Sequence, residues 1–202
     1  MTKICITREE WLSKVAAKIA HMVFEPNGYT VPSNIRYSCG FPSKHATGLR
    51  NRRIGECWSL DASDDQTFEI LISPLLGDAL QAADVLAHEI VHATVGLKHG
   101  HKGEFARCAR KIGLVGKLTA TTAGEGLKQI LQQIIDEVGE YPHAKLRALN
   151  QRVFREGKSM VKLQCTACAA EGNRYMLRMG APSLRQGAPL CPVHQVALEV
   201  KI

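Results

Sequence analysis

The chain has 202 residues, 45% of them hydrophobic, and a formal net charge of +7. That is enough apolar material for one medium-sized core with a small module beside it. No apolar run approaches the ~18 residues of a membrane span, and residues 1–10 lack the apolar stretch of a signal peptide, so neither a membrane partner nor secretion is expected.

Seven cysteines without a secretory signal suit a reducing cytoplasm, where thiols bind metal or lie buried. A cytoplasmic location, nucleoid-associated if the chain is bacterial, is the corresponding expectation. The charge is unevenly placed. Residues 1–140 hold 16 Lys and Arg against 16 Asp and Glu, whereas residues 141–202 hold 10 against 3. A neutral first part joined to a basic tail points to a polyanionic partner, DNA above all.

In chain order, Thr7 and Glu10 form a capping box for a helix over 7–24, with Trp11, Leu12, Val15, Ala16, Ile19, Met22 and Val23 along its apolar side. Segments 35–38 and 55–60 are the best strands of the region that follows, and Arg50, Asn51, Arg52 and Arg53 form a small basic cluster there. Residues 68–73 read as a strand leading into a helix over 78–95, capped by Asp78 with Gln81 as its box partner and stopped at Gly96. Either the 68–73 strand or Cys57-Trp58-Ser59 offers an edge to an extended substrate, although Ile70 and Ile72 fit a core strand better.

Within the 78–95 helix stands His88-Glu89-Ile90-Val91-His92. Residues four apart on a helix are separated by about 40° around the axis and roughly 6 Å along it, so both imidazoles can reach one ion. Glu89, about 100° around from His88, can then serve as a general base. Catalytic zinc usually takes three protein ligands. Downstream, His101, His99 and Glu104 are candidates for the third, in that order. The glycine and histidine of a metzincin signature would fall three and six residues after His92; here Gly96 and His99 fall four and seven after it.

Residues 104–112 and 127–138 read as further helices, 143–156 as a basic one, and 119–124 as a loop. Tyr141 and His143 are possible oxyanion donors with no placement from sequence, and are not counted among the catalytic residues. A module boundary is expected near 156–159, dividing the chain into 1–158 and 159–202.

In the tail, Cys165-x-x-Cys168 and Cys191-x-x-His194 are paired knuckles of the kind that closes a structural zinc site. Between them Arg174-Tyr175-Met176-Leu177-Arg178 alternates as a ribbon strand, with Arg174 and Arg178 available to phosphates and Tyr175 able to stack on a base. Packing of Tyr175 into the ribbon's small core is an equal alternative.

These residues carry a resemblance. Ala87-His88-Glu89-Ile90-Val91-His92-Ala93, then His101-Lys102-Gly103-Glu104-Phe105, then the ribbon-like tail, resemble a SprT-like (Spartan-type) zinc metallopeptidase. Lys102 stands where that family commonly has glycine, with Gly103 following. The resemblance implies an α+β chain: a zincin-like, minigluzincin-type domain with a small antiparallel sheet and the HExxH helix, then a β zinc ribbon. It implies one catalytic Zn2+ held by His88, His92 and His101, with Glu89 as base and His99 as the rival third ligand, and one structural Zn2+. It also implies substrates that are DNA-bound or DNA-crosslinked proteins. The alternative from another class is a non-catalytic, zinc-containing DNA-binding or regulatory protein. Glu89 weighs against it, because a purely structural site has no use for a carboxylate that is not a ligand.

Overall fold

A computed structural model describes residues 6–48, 52–147 and 160–201. The chain divides into two compact units, Met1–Ala148 and Leu149–Ile202. The boundary expected near 156–159 lies outside the described residues.

The first unit begins with α1 (Arg8–Ile19). Both halves of the capping box are made: Glu10 N donates to Thr7 Oγ1 at 3.1 Å, and Thr7 N donates to Glu10 Oε2 at 2.8 Å. These bonds satisfy amides that have no partner inside the helix. Trp11, Leu12, Val15, Ala16 and Ile19 recur at helical spacing and are fully or almost fully buried. The helix continues as a wider π turn through Ala20–Phe24 and stops after a 3-10 turn, where Gly28 takes φ +73°.

Three strands follow: β1 (Ile35–Cys39), β2 (Gly55–Trp58) and β3 (Phe68–Ile72). The expected antiparallel sheet is instead mixed. β3 is central, parallel to β1 and antiparallel to β2, with Ile70 opposite both Tyr37 and Cys57. Parallel pairing needs a long crossover, and residues 40–67, which include β2, provide it. As the inner strand β3 has no free edge for a substrate, and Ile70 and Ile72 are fully buried core residues. The outer strand of this sheet next to the HExxH helix is β2.

That helix is α2 (Ala79–Val95). Asp78 accepts a bond from Gln81 N at 2.7 Å to cap it, and the chain leaves at Gly96 with φ +85°. Ala82, Ala83, Leu86, Ala87, Ile90 and Val91 are fully buried in one core with α1 and β3. α3 (Glu104–Lys111) follows, then β4 (Leu114–Lys117), β5 (Ala120–Ala123) and α4 (Glu125–Val138). Residues 119–124, expected as a loop, are mostly strand: β4 and β5 form an antiparallel hairpin with Gly116 opposite Thr121. Two strands of four residues, rich in small and polar side chains, give too short an alternation to be seen in sequence.

The basic helix expected over 143–156 is absent from its described part, residues 143–147. The segment is held in irregular form by Arg8. Its guanidinium donates to the carbonyls of Pro142 at 3.0 Å, Ala144 at 3.1 Å and Pro74 at 3.2 Å, and Leu146 N donates to Pro74 O at 2.8 Å. Carbonyls turned toward one guanidinium are not available to a helix ladder.

The second unit is built on β6 (Met160–Gln164), α5 (Thr166–Ala170), β7 (Met176–Gly180) and β8 (Glu199–Val200). β6 lies between β7 and β8 and is antiparallel to both. Its core is small: Leu163, Cys165, Cys168, Cys191 and Leu198 are buried, with Tyr175 and Leu177 packed against them. Among the described residues, no helix is long and apolar enough to cross a membrane.

Candidate metal centres

α2 presents His88 and His92 one turn apart, and a turn beyond the helix returns His101 to them. Nε2 of His101 lies 3.3 Å from Nε2 of His88 and 3.2 Å from Nε2 of His92. Three imidazole nitrogens on one tetrahedral ion, each about 2.0–2.1 Å from it, would stand about 3.4 Å apart. The donor set therefore fits a single ion, and the group is one that can hold a metal. His99 is not part of it. The 3-10 turn Leu97–His99 ends at Gly100 with φ +50°, and Gly103 has φ +51°; these two glycines set the turn that brings His101 back to α2. Glu104 is engaged instead by Arg107 on α3.

The electrostatics favour ligation. Burial lowers the His88 pKa to about 4, with His101 adding to the effect. Burial, His88, His101 and Arg53 together lower that of His92 to about 3. His101 is also lowered, by burial and then Arg53. All three rings are thus neutral at pH 7, with lone pairs free for an ion.

Two neighbours complete the surroundings of the histidines: Thr121, which the sequence did not point to, and Phe105, the aromatic residue of the His101–Phe105 segment. Thr121, on β5, places its Oγ1 2.7 Å from His88 Nδ1. Phe105, fully buried on α3, packs its ring 4.3 Å from that of His92 and 4.9–5.1 Å, centroid to centroid, from those of His101 and His88. It forms an apolar floor shared by all three imidazoles.

Glu89 is buried on the side of α2 that faces β2, where Gly55 lies. A Cβ on Gly55 would come within 2.5 Å of Glu89 Oε1 and of Val85 Cγ1, so only glycine fits between the strand and the carboxylate. Burial pushes the Glu89 carboxyl up to about 8; Arg53 opposes this and Glu56 adds to it. Arg53 is itself paired with Glu56, on the same strand as Gly55. Burial raises the Glu56 pKa as well, but bonds from Ser43 N and Oγ, both 2.7 Å, and the Arg53 pair outweigh it and hold Glu56 below its usual value. Trp58 Nε1 donates to the same carboxylate at 3.1 Å.

Of the basic cluster at 50–53, Arg50 and Asn51 lie outside the described residues, while Arg52 Nε bonds Gly48 O at 3.0 Å. Tyr141 packs edge-on to Trp11 with Arg8 over its ring, and His143 offers its carbonyl to Arg8. Both contribute to the anchoring of the 142–146 segment.

In the second unit, Cys165, Cys168, Cys191 and His194 form the other group that can hold a metal. The Sγ atoms of Cys168 and Cys191 are 3.7 Å apart, and His194 Nδ1 lies 3.2 Å, 3.7 Å and 3.9 Å from Cys168, Cys165 and Cys191. Thiolates about 2.3 Å from one tetrahedral ion would be about 3.8 Å apart, so these four donors close a tetrahedron. Cys165 also caps α5, accepting from Cys168 N at 3.4 Å, and Glu171 Oε1 stands 3.1 Å from His194 Nε2. Both groups are compatible with zinc.

The strand expected at 174–178 begins two residues later, at Met176, after the turn at Gly172 with φ +76°; the bond from Cys165 N to the Tyr175 carbonyl at 3.1 Å carries the β6–β7 pairing one residue further. Arg178 is exposed opposite Lys162 on β6. Arg174 and Tyr175 precede the strand and, with Lys201, line a separate pocket of about 350 Å³. Tyr175 packs on the ribbon core with one side. No family model, no curated protein and no solved structure matches the chain.

Proposed function

We propose that the chain is a zinc-dependent metalloendopeptidase of the HExxH type, related to the SprT-like family and zincin-like in its first unit. One observation carries this reading: three neutral imidazoles converge through Nε2, and Glu89, outside that set, is buried beside them against an edge strand. A zinc ion held by His88, His92 and His101 would supply a Lewis acid that polarises the scissile carbonyl and lowers the pKa of water. Glu89 takes the proton of the attacking water and returns it to the leaving amine. A carboxyl raised above its ordinary range suits a group that must both accept and give back a proton near neutrality. Gly55 leaves Glu89 the space to do so, and the outer edge of β2 offers backbone groups to an extended substrate.

The ribbon group is proposed as the second, structural zinc site. The tail's excess of positive charge and the family resemblance support DNA-bound or DNA-crosslinked proteins as substrates, with Arg174, Tyr175 and Arg178 among the nucleic-acid contacts. Cleavage would then be directed by location as much as by side-chain pockets.

The test is Glu89→Gln against His101→Ala and His99→Ala, with zinc content and DNA-stimulated proteolysis both measured. Glu89→Gln should keep both zinc ions and lose cleavage, His101→Ala should lose one zinc, and His99→Ala should lose none. Equal proteolysis by wild type and Glu89→Gln would refute the mechanism. Removal of residues 160–202 should weaken salt-sensitive DNA binding, and unchanged binding would refute that assignment.

A further inference from the structure

The turn that carries His101 and the tip of the β4–β5 hairpin border an open concavity of about 640 Å³. Its walls include Lys98, Lys102 and Lys117, together with His99, Thr119 and His101 itself. No carboxylate lines it. All three lysines are exposed and make no ion pair among the described residues, while the nearby Glu104 is taken by Arg107. Three unneutralised ammonium groups around one concavity create a local positive potential that favours an anionic occupant. Residues 1–140 sum to zero net charge with these three lysines included, so the cluster is a local excess and not a by-product of net charge.

We infer that this pocket is a subsite for a carboxylate side chain of the substrate, an Asp or Glu within two residues of the scissile bond. The inference rests on the peptidase reading and adds a substrate preference to it. His101 fixes the position, because it belongs both to the three-histidine group and to the pocket wall. An extended peptide advances about 3.3 Å per residue, so a side chain entering beside His101 belongs to a residue one or two places from the bond being cut. Position favours a side chain over a nucleic-acid backbone: the concavity has the volume of a small-ligand site and shares His101 with the histidine group, whereas a phosphate backbone presents a continuous row of charges. Lysine ammonium groups act here as mobile point charges, which recognise a carboxylate without imposing one geometry.

The experiment uses the zinc-loaded full chain and a peptide series in which one Glu or one Gln is moved through the positions flanking the scissile bond. The Glu peptide should be cleaved with kcat/KM about fivefold above its Gln partner at one position, the scale of a few partly screened charge contacts. Lys98→Gln/Lys117→Gln should abolish that ratio, and Lys117→Glu should favour a Lys peptide instead. Equal cleavage of Glu and Gln peptides at every position overturns the inference and leaves the peptidase reading intact.

If no peptide is cleaved, the peptidase reading fails, and binding of the same labelled peptides to zinc-loaded Glu89→Gln protein decides the pocket separately. About fivefold tighter binding of the Glu peptide supports it, and equal binding overturns it. A duplex oligonucleotide that displaces the Glu peptide from wild type, but binds Lys98→Gln/Lys117→Gln less well, would identify a phosphate site and also overturn it.

Discussion

Thr121 Oγ1 stands 2.7 Å from His88 Nδ1, on the opposite side of the ring from the nitrogen that faces His101. Were Nε2 bound to an ion, Nδ1 would carry the proton and donate it to the hydroxyl, and the bond would fix both the tautomer and the ring's orientation, as an outer partner tunes a ligand. Thr121→Val should therefore weaken zinc binding at the three-histidine site about tenfold, and Thr121→Ser should restore it. Chelator competition measures both, with the ribbon site as internal control.

Gly55 and Glu89 are related by exclusion. A methyl group at position 55 would sit 2.5 Å from the carboxylate and 2.5 Å from Val85 Cγ1. Gly55→Ala should cost about 1–3 kcal/mol of stability by overpacking, and should displace Glu89 without touching a zinc ligand. The expected signature is full zinc content with proteolysis reduced at least as much as a small pocket defect allows, about 100-fold. Thermal unfolding and metal analysis on the same sample check it.

Proton linkage separates Glu89 from the histidines. Its carboxyl lies at about 8 before metal binds, against an ordinary value of 4.5, so at pH 6.5 it is protonated. A cation nearby favours the carboxylate and expels that proton. His88 and His92, at about 4 and 3, are already neutral at pH 6.5 and have none to give. Zinc loading of the first site at pH 6.5 should release about one proton more from wild type than from Glu89→Gln, measured by calorimetry in buffers of different ionisation enthalpy.

The same shift bears on stability before loading. Between pH 4.5 and 8 the folded chain keeps a proton on Glu89 that the unfolded chain has lost, so stability falls as pH rises through this window. Glu89→Gln should remove that decline in urea titrations across the range. The two lowered histidines act in the opposite sense: their contribution is present above their ordinary value of 6.5 and is lost as pH falls toward 4 and 3.

Arg8 is a buried cation whose partners are mostly main-chain carbonyls, at Pro74, Pro142, His143 and Ala144. Arg8→Met keeps most of the apolar stem and removes the donors. It should destabilise the first unit by about 2–4 kcal/mol and release residues 142–146 to faster amide exchange, while the three-histidine site keeps its zinc. Hydrogen exchange by mass spectrometry reads both regions at once.

What the sequence revealed of this chain is what depends on neighbours three or four residues away. The Thr7–Glu10 box, the Asp78 cap, the His88–His92 pair and the two Cys-led knuckles are all local and lie where spacing put them. The parallel pairing of β1 with β3 and the approach of Gly55 and Thr121 to α2 join residues roughly 30 apart, which no periodicity encodes, and the β4–β5 hairpin is local but too short for its alternation to show. Position 101 is intermediate. Sequence left His101, His99 and Glu104 as candidates for the third ligand, and the turn through Gly100 and Gly103 brings His101 to the His88–His92 pair. β7 starts two residues later than side-chain alternation suggests, after the turn at Gly172.

Two of the three imidazoles project from a long helix packed into the core, and the third from a short turn between two glycines with positive φ. If this group holds an ion, its ligands should depart at unequal rates: His101 with a local opening of residues 97–103, His88 and His92 only by side-chain rotation against the packed face of α2. Metal exchange should proceed through a two-coordinate intermediate at a rate set by that turn. Stiffening it would lengthen the residence time of the ion while leaving the global unfolding rate unchanged.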